Sequence, residues 1–165
     1  MRLLIDLQCA QHDRQSWSAG AHLLNLVEAM LPIAERDGHD IHLLLNKAFP
    51  ATIPPVQRRY PKLHEQYRIH VFQGLEASDP TNSNGLWRVE ASSLLRDFAI
   101  AGLSPDAVMS PTLFHGGANN ASHPRRLALS DTPNLAIHHD LVRTETETVE
   151  PSKNPNDDRG HLSMQ

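Results

Sequence analysis

The amino-acid sequence predicts an α/β domain built on a doubly wound parallel sheet of about five or more strands. First, short apolar runs recur along the chain, and each is too short for a helix. Second, these runs are continuous instead of alternating with polar residues, which is typical of strands buried on both faces of a sheet. Third, helical segments separate them, and this alternation indicates right-handed crossovers between parallel strands.

Five segments have the composition of buried strands. In chain order they are RLLIDL (2–7), DIHLLLN (40–46), YRIHVFQ (67–73), PDAVMS (105–110) and NLAIH (134–138). Two polar segments without periodicity predict loops, a long one at 8–19 and a turn-rich one at 75–85. Between the second and third strands, residues 54–63 predict a short helix or an irregular crossover, because prolines bound them.

Two segments carry a one-sided apolar stripe at helical spacing. The first begins at Gly20 and is expected to end at Gly38, a C-terminal glycine. Pro32 lies inside it and predicts a kink or a break. The second ends at Gly102. The apolar positions are Leu23, Leu24, Val27, Met30, Leu31 and Ala34 in the first stripe, and Leu86, Val89, Leu94, Leu95 and Phe98 in the second.

Composition excludes several classes of protein. The 165 residues fit one domain, predicted at 1–143, followed by a flexible acidic tail at 144–165. No basic stripe with interleaved aromatic residues exists, so a nucleic-acid partner is not expected. Neither a secretory signal nor an apolar run of about 18 residues is present, which predicts a soluble protein. The lone Cys9 suits a cytoplasmic location, with attachment to the periphery of the inner membrane as the alternative.

The sharpest candidate site follows the fifth strand, in NLAIHHDLVRT. Ligands of open parallel sheets bind at the carboxyl ends of strands. His138 and His139 point to opposite sides of an extended chain, so only one of them can serve one site. An imidazole at His139 suits contact with a sugar hydroxyl or acid–base catalysis, and Asp140 could orient it. The alternative is that Asp140 caps a turn and the histidines are exposed bystanders.

Two further segments are candidates at the same edge. After the fourth strand, His115 could face the cleft, and Gly116 and Gly117 allow close backbone approach; the alternative is a flexible glycine loop. Backbone amides of the helix beginning near Gly20 could hold a phosphate, although no G-x-G-x-x-G is present. The 11 histidines lack the spacing of a metal site, and no G-x-S-x-G occurs, so neither metal, cofactor nor serine hydrolase is expected.

Four segments, in this order, resemble the N-terminal domain of retaining glycosyltransferases of family 4, in particular O-antigen mannosyltransferase-like members. They are MRLLIDLQCAQ, DPTNSNGLWRVEASSLLRDFAI, LSPDAVMSPTLFHGG and LAIHHDLV, and the resemblance runs from Met1 to about Val142. It implies a Rossmann-like domain that forms one half of a GT-B fold. This half mainly holds the acceptor, and a second domain binds the nucleotide-sugar through a lysine and an E-x7-E motif. A hexose is transferred with retention and without a metal.

The resemblance also implies roles for residues. His139 matches the histidine that contacts the donor sugar, Asp140 its neighbour, and Gly20 falls where a glycine-rich loop approaches the donor phosphates. The chain departs from the family pattern at Cys9, where glycine is common, and at Arg143, where proline is common. The first loop reads Ser18, Ala19, Gly20 and Ala21 in place of G-x-G-R.

These observations predict the acceptor-side half of a polysaccharide-biosynthesis glycosyltransferase. Its partners would be a nucleotide-sugar donor, a glycan or lipid-linked acceptor, and a donor-binding C-terminal domain that the chain is expected to lack. The chain alone is therefore expected to be inactive, and its exposed interdomain face could drive self-association. Two alternatives stay open: a non-catalytic carbohydrate- or partner-binding module, and a small nucleotide-binding Rossmann protein.

Overall fold

A computed structural model of the chain describes residues 1–11, 17–75, 83–110 and 131–136. The strands within these residues are β1 (Arg2–Asp6), β2 (Asp40–Asn46), β3 (Ile69–Phe72), β4 (Ala107–Ser110) and β5 (Asn134–Ala136). The helices are α1 (Gln8–Gln11), α2 (Trp17–Arg36), α3 (Ile53–Arg59), α4 (Pro61–Glu65) and α5 (Ser83–Leu103), and a 3-10 turn covers Pro50–Thr52. The predicted tail at 144–165 lies outside the described residues.

The described strands form one sheet in the order β3-β2-β1-β4-β5. Every neighbouring pair is parallel. The chain first builds outward from β1 to β3 and then returns to place β4 on the other side of β1, so the direction of winding reverses beside β1. The predicted α/β class with a five-stranded parallel sheet is confirmed.

Helices cover both faces of the sheet. Because successive strand residues point to opposite faces, Leu3 and Ile5 of β1 join the core under α2, α3 and α4. Leu4 joins a second core, where it packs with Ile100 of α5. All of these leucine and isoleucine side chains are buried, which explains the continuous apolar runs in the strands.

Helix α2 begins at Trp17, three residues before the predicted start, and continues through Pro32, so of the predicted kink or break the break is absent and the kink stays a prediction. The helix is ended by Gly38, the glycine predicted from the sequence. Gly38 has a φ of 69°, and the N–H of His39 donates to the carbonyl of Ala34 at 2.8 Å. The N–H of Gly38 reaches the carbonyl of Glu35 at 3.4 Å. This pair of bonds is a Schellman motif, in which glycine accepts the left-handed backbone without strain.

The connections differ from prediction in two places. The predicted loop at 8–19 contains α1 and the first turn of α2. Between β2 and β3 the chain forms two short helices, α3 and α4, where one helix or an irregular crossover was predicted. Tyr60 separates them, and its buried hydroxyl donates to the carbonyl of Leu24 at 2.9 Å. None of the helices in the described ranges is long and apolar enough to cross a membrane.

Helix α5 is rotated relative to its predicted orientation. Val89 is buried as predicted, but Leu94, Leu95 and Phe98 are exposed, and Phe98 has 72% of its surface accessible. The buried face instead carries Ile100 together with polar residues, which are Ser92, Arg96 and Asp97. The predicted apolar stripe is therefore not the buried face at Leu94, Leu95 and Phe98, because the helix turns Arg96 toward Asp6 and Ser110 of the sheet instead.

Candidate functional site

Buried polar residues end three neighbouring strands at their carboxyl ends. Asp6 is the last residue of β1, Asn46 of β2 and Ser110 of β4, and at most 4% of the surface of each is accessible. Ligands of open parallel sheets bind along this edge, and the reversal of winding beside β1 marks the usual position. This edge of the sheet is therefore the candidate functional site.

Arg96 of α5 connects two of these strand ends. Its Nε donates to Oδ2 of Asp6 at 2.5 Å, and its Nη2 donates to the hydroxyl of Ser110 at 3.0 Å. Its Nη1 lies 3.3 Å from Oδ1 of Asp97. The Arg96 side chain is fully buried, so its charge depends on these partners in place of water.

The hydrogen bonds continue from Asp6 to β2 through two glutamines of α1. The backbone N–H and the Nε2 of Gln8 both donate to the Asp6 carboxylate at 3.0 Å. The Nδ2 of Asn46 then donates to Oε1 of Gln8 at 3.1 Å. The Oε1 of Gln11 accepts from the backbone N–H of Asn46 at 2.7 Å. The Nε2 of Gln11 donates to the backbone carbonyl of Asn46 at 3.1 Å and to the hydroxyl of Thr52 at 2.9 Å.

We call these residues the carboxyl-edge network; its members are Asp6, Gln8, Gln11, Asn46, Thr52, Arg96, Asp97 and Ser110. Within the described part of the chain, every buried side-chain nitrogen and oxygen has a hydrogen-bond partner. Such a satisfied network fixes the positions of the groups that compose it, because moving one of them leaves a buried polar atom unpaired. It therefore sets where the segments after β1, β2 and β4 leave the sheet.

Gly74, after β3, packs directly on this network. A Cβ atom at this position would lie 2.2 Å from Oδ1 and 2.6 Å from Nδ2 of Asn46. The Oδ1 of Asn46 already accepts from the N–H of Ala48 at 2.9 Å. Only glycine fits here without displacing the amide, so the close approach of the backbone explains this residue.

Gly20, the predicted phosphate-binding residue, is buried in the first turn of α2. A Cβ there would lie 3.0 Å from Cα of Ala10 and 3.2 Å from the carbonyl oxygen of Cys9. In this arrangement Gly20 allows α2 to pack closely on α1. Contact with a phosphate stays a prediction.

Cys9 is half-buried beside Asp6. Burial, and secondarily the negative charge of Asp6, raise the pKa of its thiol to about 12. The thiolate is the reactive form of cysteine, and it is scarce at neutral pH under these conditions. Cys9 is therefore a packing residue and not a candidate nucleophile.

The remaining predicted site residues, His115, Gly116, Gly117, His139 and Asp140, lie outside the described residues. The strand ends that precede them are described. Ser110, the last residue of β4, is paired with Ala136, the last residue of β5. The chain therefore leaves both strands side by side at one edge of the sheet, five residues before His115 and three residues before His139.

Sequence reasoning missed the network itself. A usable signal existed, since each of the otherwise apolar strand segments 3–6 and 43–46 ends in one polar residue, Asp6 and Asn46 respectively.

In the described ranges, no group of three or more histidine, cysteine, aspartate or glutamate residues could hold a metal ion. Comparisons of the chain with protein-family models, curated proteins and solved structures found no match.

Proposed function

We propose that the chain is the acceptor-side half of a GT-B glycosyltransferase, which transfers a hexose from a nucleotide-sugar to a glycan or lipid-linked acceptor with retention. The observation that carries the proposal is the strand order. β1, β4 and β5 are consecutive in the sheet, and the segments with Gly20, His115 and His139 each follow one of these three strands. The chain thus leaves the sheet toward these three segments at neighbouring points of one edge, although the segments are far apart in sequence.

The connectivity supports a Rossmann-like assignment within this proposal. The order β3-β2-β1-β4-β5 corresponds to the first five strands of the order 3-2-1-4-5-6 of doubly wound dinucleotide-binding sheets. Crossover helices on both faces of the sheet agree with that winding. A cleft in such a sheet opens outside the carboxyl ends of β1 and β4, beside the carboxyl-edge network.

The proposed chemistry divides between two domains. The His139 imidazole would contact hydroxyls of the donor sugar, and Asp140 would orient that imidazole. Charges from a donor-binding domain, outside these 165 residues, would stabilise the oxocarbenium-like centre and the departing phosphate. Because one domain alone cannot enclose the reacting groups and exclude water, we expect the isolated chain to bind acceptor but not to transfer sugar.

A binding and activity experiment tests this function. The purified chain is titrated with acceptor glycans and nucleotide-sugars while backbone amide NMR signals are followed, and transfer is measured with radiolabelled donors. We expect acceptor glycans to perturb the amides near Asp6, Ser110 and Ala136, and we expect no turnover. His139→Ala, which removes the proposed donor-sugar contact, should weaken the shifts caused by nucleotide-sugars and leave those caused by acceptor glycans, whereas the control His39→Ala, after α2, should change neither. Perturbations that spare all three strand ends would contradict the acceptor assignment.

A specific observation favours the second candidate, a non-catalytic carbohydrate- or partner-binding module. The charged groups of the carboxyl-edge network are buried and pair with one another, so Asp6 and Arg96 are not directed at a ligand. The two candidates differ in their response to a donor-binding domain. Co-expression with a downstream-encoded polypeptide that carries the lysine and E-x7-E pattern should produce sugar transfer from the enzyme half, and none from the module.

A further inference from the structure

A cavity of about 440 Å³ lies along the edge strand β3. It is lined in part by Gln57, His64, Tyr67, His70 and Val71, and among the described residues that line it there is no aspartate, glutamate, lysine or arginine. Its volume falls within the range of about 300–1,000 Å³ that is usual for small-molecule sites. The carboxyl-edge network shares none of these residues, so the cavity is a separate feature of the molecule.

Tyr67 has an unusual backbone for a tyrosine. Its φ is 56°, and it occupies the glycine position of a Schellman motif at the end of α4. The N–H of Tyr67 donates to the carbonyl of His64 at 3.1 Å, and the N–H of Arg68 to that of Leu63 at 2.8 Å. The same motif ends α2, where the residue is Gly38. A tyrosine in this conformation carries strain that glycine would avoid.

Burial of the ring does not offset this strain. Tyr67 has 88% of its surface accessible. Residues held in such strained conformations cluster at active sites, ligand clamps and switch regions. The ring of Tyr67 is thus an exposed aromatic surface beside the cavity.

His70, which also lines the cavity, is held in a neutral state. Its Nε2 lies 2.8 Å from Nδ1 of His42, and the two rings lie nearly in one plane, with an interplanar angle of 7° and their centroids 5.2 Å apart. One ring donates and the other accepts, so at least one of them must be uncharged. Burial lowers the pKa of both, and that of His42 falls to about 4 because the positive charges of His70, Arg2 and Arg68 act in the same direction. At neutral pH, His70 therefore offers a neutral imidazole to the cavity.

We propose that this cavity binds a neutral carbohydrate, one or two hexose units of a glycan chain. A pyranose ring has an apolar C–H face, which would stack on Tyr67, and hydroxyl groups, which Gln57 and His64 can bind on the α3 and α4 side of β3 and the Nδ1 of His70 on its α5 side. A phosphate would find no lysine or arginine among the lining residues that the structure describes. A purely apolar ligand would leave the amide and imidazole groups without partners. The site lies along β3 and does not depend on the glycosyltransferase proposal.

Titration of the isotope-labelled full chain with three methyl pyranosides, an α-mannoside, an α-glucoside and a β-galactoside, tests the site by NMR. We expect at least one to shift the amides of residues 66–71 saturably, with millimolar affinity. Tyr67→Gly should weaken this binding by about tenfold or more, the loss expected for one removed stacking contact. The same change should raise the thermal midpoint, because glycine relieves the strained φ. Loss of binding in a more stable protein cannot be attributed to unfolding.

Two control variants separate the ring from the backbone. Tyr67→Phe keeps the aromatic surface and should retain most of the affinity. Ser104→Gly relieves a second left-handed residue, with φ 47°, outside the cavity lining, and should leave binding unchanged. Absence of saturable shifts with all three pyranosides, or equal binding by Tyr67→Gly, would overturn the proposal. Shifts confined to the ends of β1, β4 and β5 would overturn it too, while supporting the acceptor site proposed above.

Discussion

Arg96 and Asp6 are 90 positions apart in the sequence and form an ion pair in the protein interior, with 2.5 Å between Nε and Oδ2. The Arg96 side chain has no accessible surface, and that of Asp6 has 6%. The pair joins α5 to the central strand of the sheet. Its strength depends on both members, because removal of one leaves a buried charge without compensation.

Removal of one member of this pair should be strongly destabilising. We expect Arg96→Met to lower the free energy of unfolding by about 3–5 kcal/mol, since it leaves the Asp6 carboxylate buried beside Gln8. The double variant Arg96→Met/Asp6→Leu should recover part of this loss. Urea denaturation gives both values. As a control, Arg36→Ala removes an exposed pair with Asp37 and should leave the midpoint unchanged. An equal loss in both arginine variants would contradict the interior role of Arg96.

A methyl group at Gly74 should disturb the carboxyl-edge network at Asn46, the network residue at the end of β2. Gly74→Ala places a Cβ 2.2 Å from Oδ1 of Asn46, and we expect a loss of about 1–3 kcal/mol of unfolding free energy. Gly102→Ala is the matched comparison, because nothing lies within 4 Å of a Cβ there and the residue is inside α5. It should stabilise by about 0.5–1 kcal/mol. Thermal unfolding of the two variants should therefore shift in opposite directions.

The hydrogen-bonded histidines His42 and His70 make stability dependent on pH. Burial lowers the pKa of His42 from its ordinary value of 6.5 to about 4 in the folded protein, so between these values the unfolded chain binds a proton that the folded protein does not. This contribution to stability is complete above pH 6.5 and is lost progressively as the pH falls toward about 4. His42→Leu should reduce the slope of stability against pH in this window. His39→Ala, outside the pair, should retain the wild-type slope in the same urea titrations.

The exposed apolar side chains of α5 should affect association more than stability. Phe98 and Leu94 are 72% and 53% accessible, so Phe98→Lys should change the unfolding free energy by no more than about 0.5 kcal/mol. It should also reduce concentration-dependent self-association, as measured by sedimentation velocity, because it interrupts an exposed apolar surface. The opposite face of the helix should respond differently. Ile100 is fully buried, and Ile100→Ala should cost about 2–5 kcal/mol.

Local sequence patterns predicted the sheet well because apolar runs reflect burial directly. DIHLLLN coincides with β2 over Asp40–Asn46, and Gly38 ends α2 as its position indicated. Both features depend on residues close in sequence: a run of side chains buried from either face, and a turn that requires a positive φ. The α/β class followed from these local features.

The orientation of α5 could not be predicted in this way. Its apolar residues outnumber its charged ones, and periodicity alone favours burying Leu94, Leu95 and Phe98. The contact that decides the outcome is the pair between Arg96 and Asp6, which no local pattern contains. The network residue Gln11 was missed for the same reason, because its partner Asn46 is 35 positions away.

The contact between Gln11 and Asn46 has a consequence for the end of the sheet. The side-chain amide of Gln11 bonds to both the N–H and the carbonyl of one backbone unit, which is how a neighbouring strand would pair with it. A side chain thus imitates one further rung at the tip of β2. β2 lies between β3 and β1 in the sheet, and its register with β1 ends at Leu44, so Gln11 satisfies the backbone groups of Asn46 beyond the last residue of β1. Gln11→Glu would turn an oxygen toward the Asn46 carbonyl and leave that carbonyl without this donor.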